Sequence, residues 1–243
     1  MNLRDRIAVV TGASRGIGRA AALALAEAGV HVIAVARTVG ALEELDDAIR
    51  AKGGAATLVP FDLKDFAAID RLGAAIYQRW GRLDMLFANA GVLGTLTPLA
   101  HLEPRTFDTV MTINVTANWR LIRSLDPLLR QSDAGRALFV TSSAAAKFTP
   151  YWGAYAVSKA ALEALVATYA GELAQTRAKV NLIDPGAMRT RMRAQAMPGE
   201  DPATLPAPEE LAPHALRMLS PDYAGSGELY ERRSGTTRKL GPA

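Results

Sequence analysis

The chain contains no cysteine. That excludes disulfides, thiolate metal centres and a cysteine nucleophile. It suits a reducing compartment, so a cytoplasmic location is the expectation. Histidine is scarce: His31, His101 and His214 stand far apart in the chain. No H-E-x-x-H or comparable ligand spacing occurs, and no metal site is expected. No uninterrupted apolar run approaches the ~18 residues of a membrane span. The opening residues Met1 to Arg6 are mostly polar and run straight into a first apolar segment, so no secretory leader is expected. Charge of one sign is in only mild excess, with a formal net charge of +4 and a pI of about 9.5. Such a balance reflects solvated arginines more often than a nucleic-acid surface, although it can also draw an anionic cofactor. No solenoid-length repeat and no Pro-, Gly- or Ser-rich linker divides the chain. Its 243 residues are expected to form one domain, which at this size buries roughly 70–75% of its unfolded surface.

What is present is an alternation of apolar runs and helical stretches. Candidate strands lie at 6–11, 30–36, 55–60, 84–88, 136–141 and 178–183. Candidate helices lie at about 17–28, 40–52, 65–80, 105–130, 154–176 and 208–219. This order predicts an α/β fold, a doubly wound parallel sheet covered on both faces. Ligands in such sheets sit beyond the carboxyl ends of the strands. The chemistry-bearing residues fall at those ends: Thr11, Arg37, Asp62, Asn89, Ser142 and Pro185 follow or close the six strands in turn. One composite site is the expectation. Residues 187–207, with Pro198, Pro202 and Pro206, break the alternation and read as a mobile segment over that site. The last stretch, from Gly227, is short of apolar residues and is expected to fray.

Two strings stand out. The first, Thr11 to Gly18, reads T-G-A-S-R-G-I-G between the apolar run Ile7–Val10 and an alanine-rich helix former. A strand, a glycine turn and a helix lay a pyrophosphate on a helix amino terminus. The alternative is a glycine-rich cap without a ligand. In the second, G-A-Y-A-V-S-K, Tyr155 and Lys159 are four residues apart within a helical stretch and so share one face. A free phenol ionises near pH ~10, and a close cation can lower that by roughly one to three units. The pair is then an acid/base device near neutrality. The alternative is an aromatic beside a solvated lysine.

Together the two strings, with Asp62, Asn89-Ala90-Gly91, Asn114, Ser142 and Pro185-Gly186 in the same order and at the same spacings, resemble the short-chain dehydrogenase/reductase family in its single-domain branch. The resemblance runs from Arg6 to about Thr190. It implies a Rossmann-like, doubly wound sheet and an NADP(H)- or NAD(H)-dependent oxidoreductase acting on a small-molecule carbonyl or alcohol. The family's pyrophosphate turn maps to Gly12, Ser14, Arg15, Ile17 and Gly18. Asp62 and Leu63 map to the cap on the adenine ring, although Asp62 also reads as a cap or turn residue for the helix beginning near Asp65. Asn89, Ala90 and Gly91 map to the N-A-G loop. Pro185, Gly186 and Thr190 map to the loop against the nicotinamide, with Thr190 on the carboxamide. Tyr155 maps to the proton-transfer group and Lys159 to the residue that holds the nicotinamide ribose and lowers the phenol pKa. Ser142 and Ser143 are adjacent, and the family's spacing of thirteen residues before the tyrosine selects Ser142. Asn114 maps to the residue supporting a water relay to Lys159, against the alternative of a polar break in a long helix.

Cofactor choice can be read at the end of the second strand. Sites that prefer NAD tend to carry an acidic residue there. None lies between Val30 and Ala41, where Arg37 stands instead, with Arg15 in the turn. Two guanidiniums can hold a 2′-phosphate, so NADP(H) is expected over NAD(H). Trp152 reads either as a pocket wall or as packing. Met188, Met192 and Met197 suit an adaptable apolar wall. Arg189, Arg191 and Arg193 read either as an anion site or, more simply, as a solvated face. The resemblance also implies a homodimer or homotetramer built on the helices at 105–130 and 154–176. The ending Gly227-Glu228-Leu229-Tyr230-Glu231-Arg232-Arg233 departs from the family's V-D-G-G strand and puts the tetramer in question. A cofactor-binding regulatory protein without turnover is the rival reading, and a structural subunit of a larger assembly a third.

Overall fold

Along the first strand, alternate side chains separate into two cores, as a period of two requires. Ala8 and Val10 face one apolar layer, Ile7 and Val9 the other. The computed structural model describes residues 3–241. Its strands are β1 (Ile7–Thr11), β2 (His31–Ala36), β3 (Ala55–Pro60), β4 (Met85–Ala88), β5 (Arg136–Val140), β6 (Lys179–Asp184), β7 (Glu228–Glu231) and β8 (Thr236–Lys239). They form one sheet in the order β3-β2-β1-β4-β5-β6-β7-β8. All neighbours pair in parallel except β7 and β8. The six strands expected from the sequence lie within one residue of their expected bounds.

The order reverses between β1 and β4, which opens a crevice at their carboxyl ends. On one face lie α1 (Gly16–Glu27), α2 (Val39–Ala51) and α9 (Ala212–Leu219), burying Leu25, Leu42, Ile49 and Met218. On the other lie α3 (Phe66–Trp80), α5 (Ala117–Gln131) and α7 (Gly153–Glu172), burying Ile69, Leu121, Leu162 and Val166. Shorter helices complete the chain: α4 (Pro104–Met111), α6 (Ala144–Lys147) and α8 (Arg191–Ala196). Thus 187–207 contains α8 and a single 3₁₀ turn at Pro202–Thr204.

Two expectations are corrected. The helix expected at 105–130 is α4 and α5 joined by a π-helical turn, Thr112–Thr116. The other is the stretch from Gly227, where no strand was expected. It forms a hairpin in which β7 extends the sheet beside β6 and β8 turns back on it. Burial of Leu229 and Tyr230 holds β7 in place. The β8 strand is held by the ladder and by the ion pairs Lys239–Glu228 (2.9 Å) and Arg238–Glu163 (3.4 Å). Residues 242 and 243 of that tail lie outside the described residues.

The opposite end of the sheet is tied by Asp84, just before β4 and 1% exposed. Its carboxylate accepts from the Ile7 amide (2.9 Å) and the Ser132 hydroxyl (2.6 Å), and Arg6 and Arg82 lie 3.4 and 3.2 Å away. One side chain therefore joins β1, β4 and the end of α5. Replacing it with alanine leaves the buried Ile7 N–H without its acceptor and takes one partner from Ser132 and from Arg6, both of which keep Asp133. Asp84→Ala is expected to lower the unfolding free energy by about 2 kcal/mol, measured by urea denaturation. A loss below about 1 kcal/mol, the scale of an exposed pair, would contradict this role.

Candidate active site

The glycine turn between β1 and α1 is shaped by its contacts with the loop after β4. Gly12 and Gly16 have φ of +66° and +54°, the left-handed region that favours glycine. A Cβ on Gly18 would lie 2.2 Å from the Gly12 carbonyl oxygen, so the helix packs against its own turn at a distance no side chain allows. The start of α1 has no side-chain cap and no acidic residue in its first turn. Its free amides are an anion site. Ser14 and Ile17 are half-buried in the turn, Ile17 against the core, and Arg15 is exposed.

Asn89 joins this turn to β4. Its side-chain amide donates to the Thr11 carbonyl (3.1 Å), and the Thr11 hydroxyl accepts from the amides of Asn89 and Ala90 (3.1 Å each). Thr11 thus acts as a latch, a role its place at the end of β1 did not reveal. Gly91 follows, where a Cβ would stand 3.2 Å from Asn114 Oδ1 and 3.7 Å from Lys159 Nζ. At the far end of the crevice Arg37 and Asp62 are 3.6 Å apart and partly exposed. Asp62 accepts from the Lys64 amide in a turn, while Asp65 caps α3 through the Ala68 amide. The cap reading of Asp62 is thereby corrected. Leu63 is buried against the α3 core.

The π turn is centred on Asn114, which is fully buried. Its side chain accepts from the Val92 amide and donates to the Val92 carbonyl and the Ser158 hydroxyl, each at 2.9 Å. Its own carbonyl accepts from Asn118 (2.8 Å). A π turn loosens the i→i−4 ladder at such points. Ser158 in turn donates to the Tyr155 carbonyl (2.8 Å). Asn114 therefore ties the loop after Gly91 to the helix carrying Tyr155 and Lys159.

Tyr155 and Lys159 are 8% and 4% exposed. The ammonium donates to the Val140 carbonyl at the end of β5 (2.8 Å) and stands 5.7 Å from the Tyr155 ring centroid. Burial pushes Lys159 down to about 8, while the carboxylates of Asp184 and Glu163 act the other way. Burial pushes the Tyr155 phenol up to about 12, against a hydrogen bond from Ser142 that favours the phenolate, and Asp184 adds to the rise. Loss of hydration is the largest influence on the phenol, and it acts against the lowering expected from Lys159. Ser142 also accepts from the Ala144 amide (3.2 Å), and Ser143 begins α6, as a turn residue would.

Beyond β6, Asp184 accepts from the Gly186 amide (2.9 Å), and Gly186 has φ of +68°. Burial raises the Asp184 carboxyl, with Glu231 adding and the Gly186 bond opposing. Pro185 is buried beside it. Thr190 caps α8 by accepting from the Arg193 amide (3.2 Å), and its methyl is 3.5 Å from where a Gly16 Cβ would be. The glycine turn and the loop after β6 thus meet across the crevice. Asp184, Ser158 and the Val140 carbonyl were missed from sequence. Asp184 is a polar residue at a strand end, Ser158 is a polar residue inside α7, and the Val140 carbonyl has no sequence signal. Met188 lies in the α1 core, so of the three methionines only Met192 packs beside Tyr155.

A family profile described as short chain dehydrogenase matches residues 6–201. An uncharacterised oxidoreductase, YciK of Escherichia coli, is 39% identical over 223 residues, covering 90% of this chain and 88% of its own. An uncharacterised NAD-dependent oxidoreductase of Mycobacterium tuberculosis is 37% identical over 79% of this chain and 74% of its own. A chain of Shigella flexneri, provisionally named a short chain dehydrogenase and solved in complex with NADP, superposes with a TM-score of 0.92. It is 37% identical, covering 96% of this chain and 98% of its own.

Proposed function

The chain belongs to the short-chain dehydrogenase family, and on that footing we propose that it is an NADP(H)-dependent oxidoreductase interconverting a carbonyl and an alcohol. The observation that carries this reading is the convergence of Ser142, Tyr155 and Lys159 opposite the glycine turn. The residues fit the cofactor. Gly12, Gly16 and Gly18 with the open start of α1 suit its pyrophosphate, and Arg15 and Arg37 its 2′-phosphate. Asp62 and Leu63 suit the adenine, while Asn89, Ala90 and Gly91 line the passage to the ribose. Lys159 suits that ribose, and Pro185, Gly186 and Thr190 suit the carboxamide. The Shigella neighbour bound to NADP supports this cofactor, although the Mycobacterium relative is named for NAD.

When bound, the cofactor supplies or accepts the hydride. The chain does the rest. Tyr155, protonated at neutral pH, gives its proton to the carbonyl oxygen, and Ser142 donates to the same oxygen as charge grows there. Lys159 holds a positive charge at the cleft without bulk water to screen it. Asn114 fixes the helix on which both Tyr155 and Lys159 stand. Segment 187–207 acts as the movable cover. We further infer a cytoplasmic homo-oligomer paired through α5 and α7, on which Trp119 and Val157 are 44% and 45% exposed.

Three outcomes test this reading. Tyr155→Phe is expected to lower NADPH-dependent carbonyl reduction by about 10³-fold while NADPH affinity changes little. Retained turnover would overturn the role of Tyr155. Tight cofactor binding without turnover over a broad carbonyl panel in the unaltered chain would favour a regulatory protein. Arg37→Asp is expected to weaken NADPH binding by about tenfold or more, read by fluorescence titration. An unchanged affinity would overturn the assignment of Arg37. Lys159 is charged below its value of about 8 and neutral above it. Carbonyl reduction should therefore hold steady at lower pH and fall as pH rises through about 8. A rate that climbs over the same interval would contradict the ammonium's part.

A further inference from the structure

We propose that the site accepts an uncharged aldehyde or ketone flanked by bulky apolar groups, and that Trp152 and Met192 set this selection. The assignment rests on the oxidoreductase reading and names its substrate class. Tyr155 shares a small apolar cluster with Leu93 and Ala144, and Leu96, Trp152, Met192 and Ala196 pack against it while remaining partly exposed. These residues come from four places in the chain: the loop after β4, α6, the start of α7 and one face of α8. The Trp152 ring stands edge-on to the Tyr155 ring with centroids 6.0 Å apart. Met192 and Ala196, four residues apart on α8, close the opposite side.

The wall is stitched together. The Thr97 amide donates to the Tyr151 carbonyl (3.0 Å), joining the loop of Leu96 to the turn that delivers Trp152. That turn is strained: Phe148 and Tyr151 have φ of +49° and +73°, a region costly for aromatic residues. Both rings are largely exposed, so neither recovers that cost by burial. The turn delivers Trp152, half-buried, to the edge of Tyr155.

Charge is sorted away from this wall. Arg189, Arg191 and Arg193 line a separate cavity of about 290 Å³ with Met197 and Glu200. Two of the three Arg193 guanidinium nitrogens, Nε and Nη2, donate to Glu200 at 2.5 and 2.7 Å. The cation beside the phenol, Lys159, stands 5.7 Å from its ring centroid and donates to the Val140 carbonyl. A carboxylate or phosphate laid against Trp152, Leu96 and Met192 would lose its water without gaining a partner there. An aryl or branched alkyl group would leave water against Trp152 and the adaptable Met192.

The test compares two methyl ketones on one skeleton, 4-phenylbutan-2-one and 4-oxopentanoate, with NADPH and the full chain. The phenyl ketone is expected to be favoured in kcat/KM by about tenfold or more. Trp152→Ala should cut its kcat/KM by about tenfold without changing NADPH affinity, and Met192→Lys should narrow the gap between the two compounds. Equal or better use of 4-oxopentanoate by the unaltered chain, or a ratio that neither variant moves, would overturn the proposal. Binding to the NADPH-loaded chain, followed by tryptophan fluorescence, separates the pocket from the reaction. Tighter binding of the phenyl ketone without turnover would sink the reductase reading and leave the pocket standing. Equal binding of both compounds would sink the pocket.

Discussion

A cation held out of water is the constraint on which the cleft is built. The Lys159 ammonium keeps one strong bond, to the carbonyl that ends β5, and is pulled toward neutrality by its burial. Holding it there requires that β5, α7 and the loop after β4 keep fixed relative positions. Asn114 supplies that fixity: a single buried amide bonds both polar groups of Val92 and the hydroxyl of Ser158, which is anchored on Tyr155. The π turn is the local consequence, because the helix must give up a regular bond to present that amide inward.

The two sides of the cleft are made differently. On the cofactor side, short backbone bonds from Thr11, Asn89 and Asp184 hold glycine-lined turns against rigid strand ends. On the substrate side, apolar side chains from loops and the short α8 make the walls, and the backbone is strained where Trp152 is delivered. Polar bonding is specific and unforgiving, while apolar packing tolerates exchange. The side of the glycine turn therefore has little freedom to vary, and the apolar side has more.

The strands and the order of the site were legible because a buried parallel strand is a continuous apolar run and a crossover puts its functional residues just after it. Ile7–Thr11 with its glycine turn is of this kind, while Tyr155 and Lys159 were legible from their four-residue spacing within a helical stretch. The break at Thr112–Thr116 was not legible: Thr-Ile-Asn-Val-Thr carries no glycine or proline, and the cause is a partner 22 residues away, Val92. The tail hairpin was hidden for a similar reason, since its polar residues Arg238 and Lys239 find partners in α7 and β7. Spacing reveals the cation near Tyr155 but not the water lost on burial, which acts on the phenol in the opposite direction.

The central claim is that the buried phenol stays protonated at neutral pH and so stands ready to give its proton. Carbon-13 NMR of the chain labelled at tyrosine Cζ, with Tyr155→Phe used to assign the signal, measures this directly. The account predicts that the Tyr155 signal keeps its phenol position through neutrality and moves only as pH nears about 12. A phenolate signal for Tyr155 at neutral pH would contradict it.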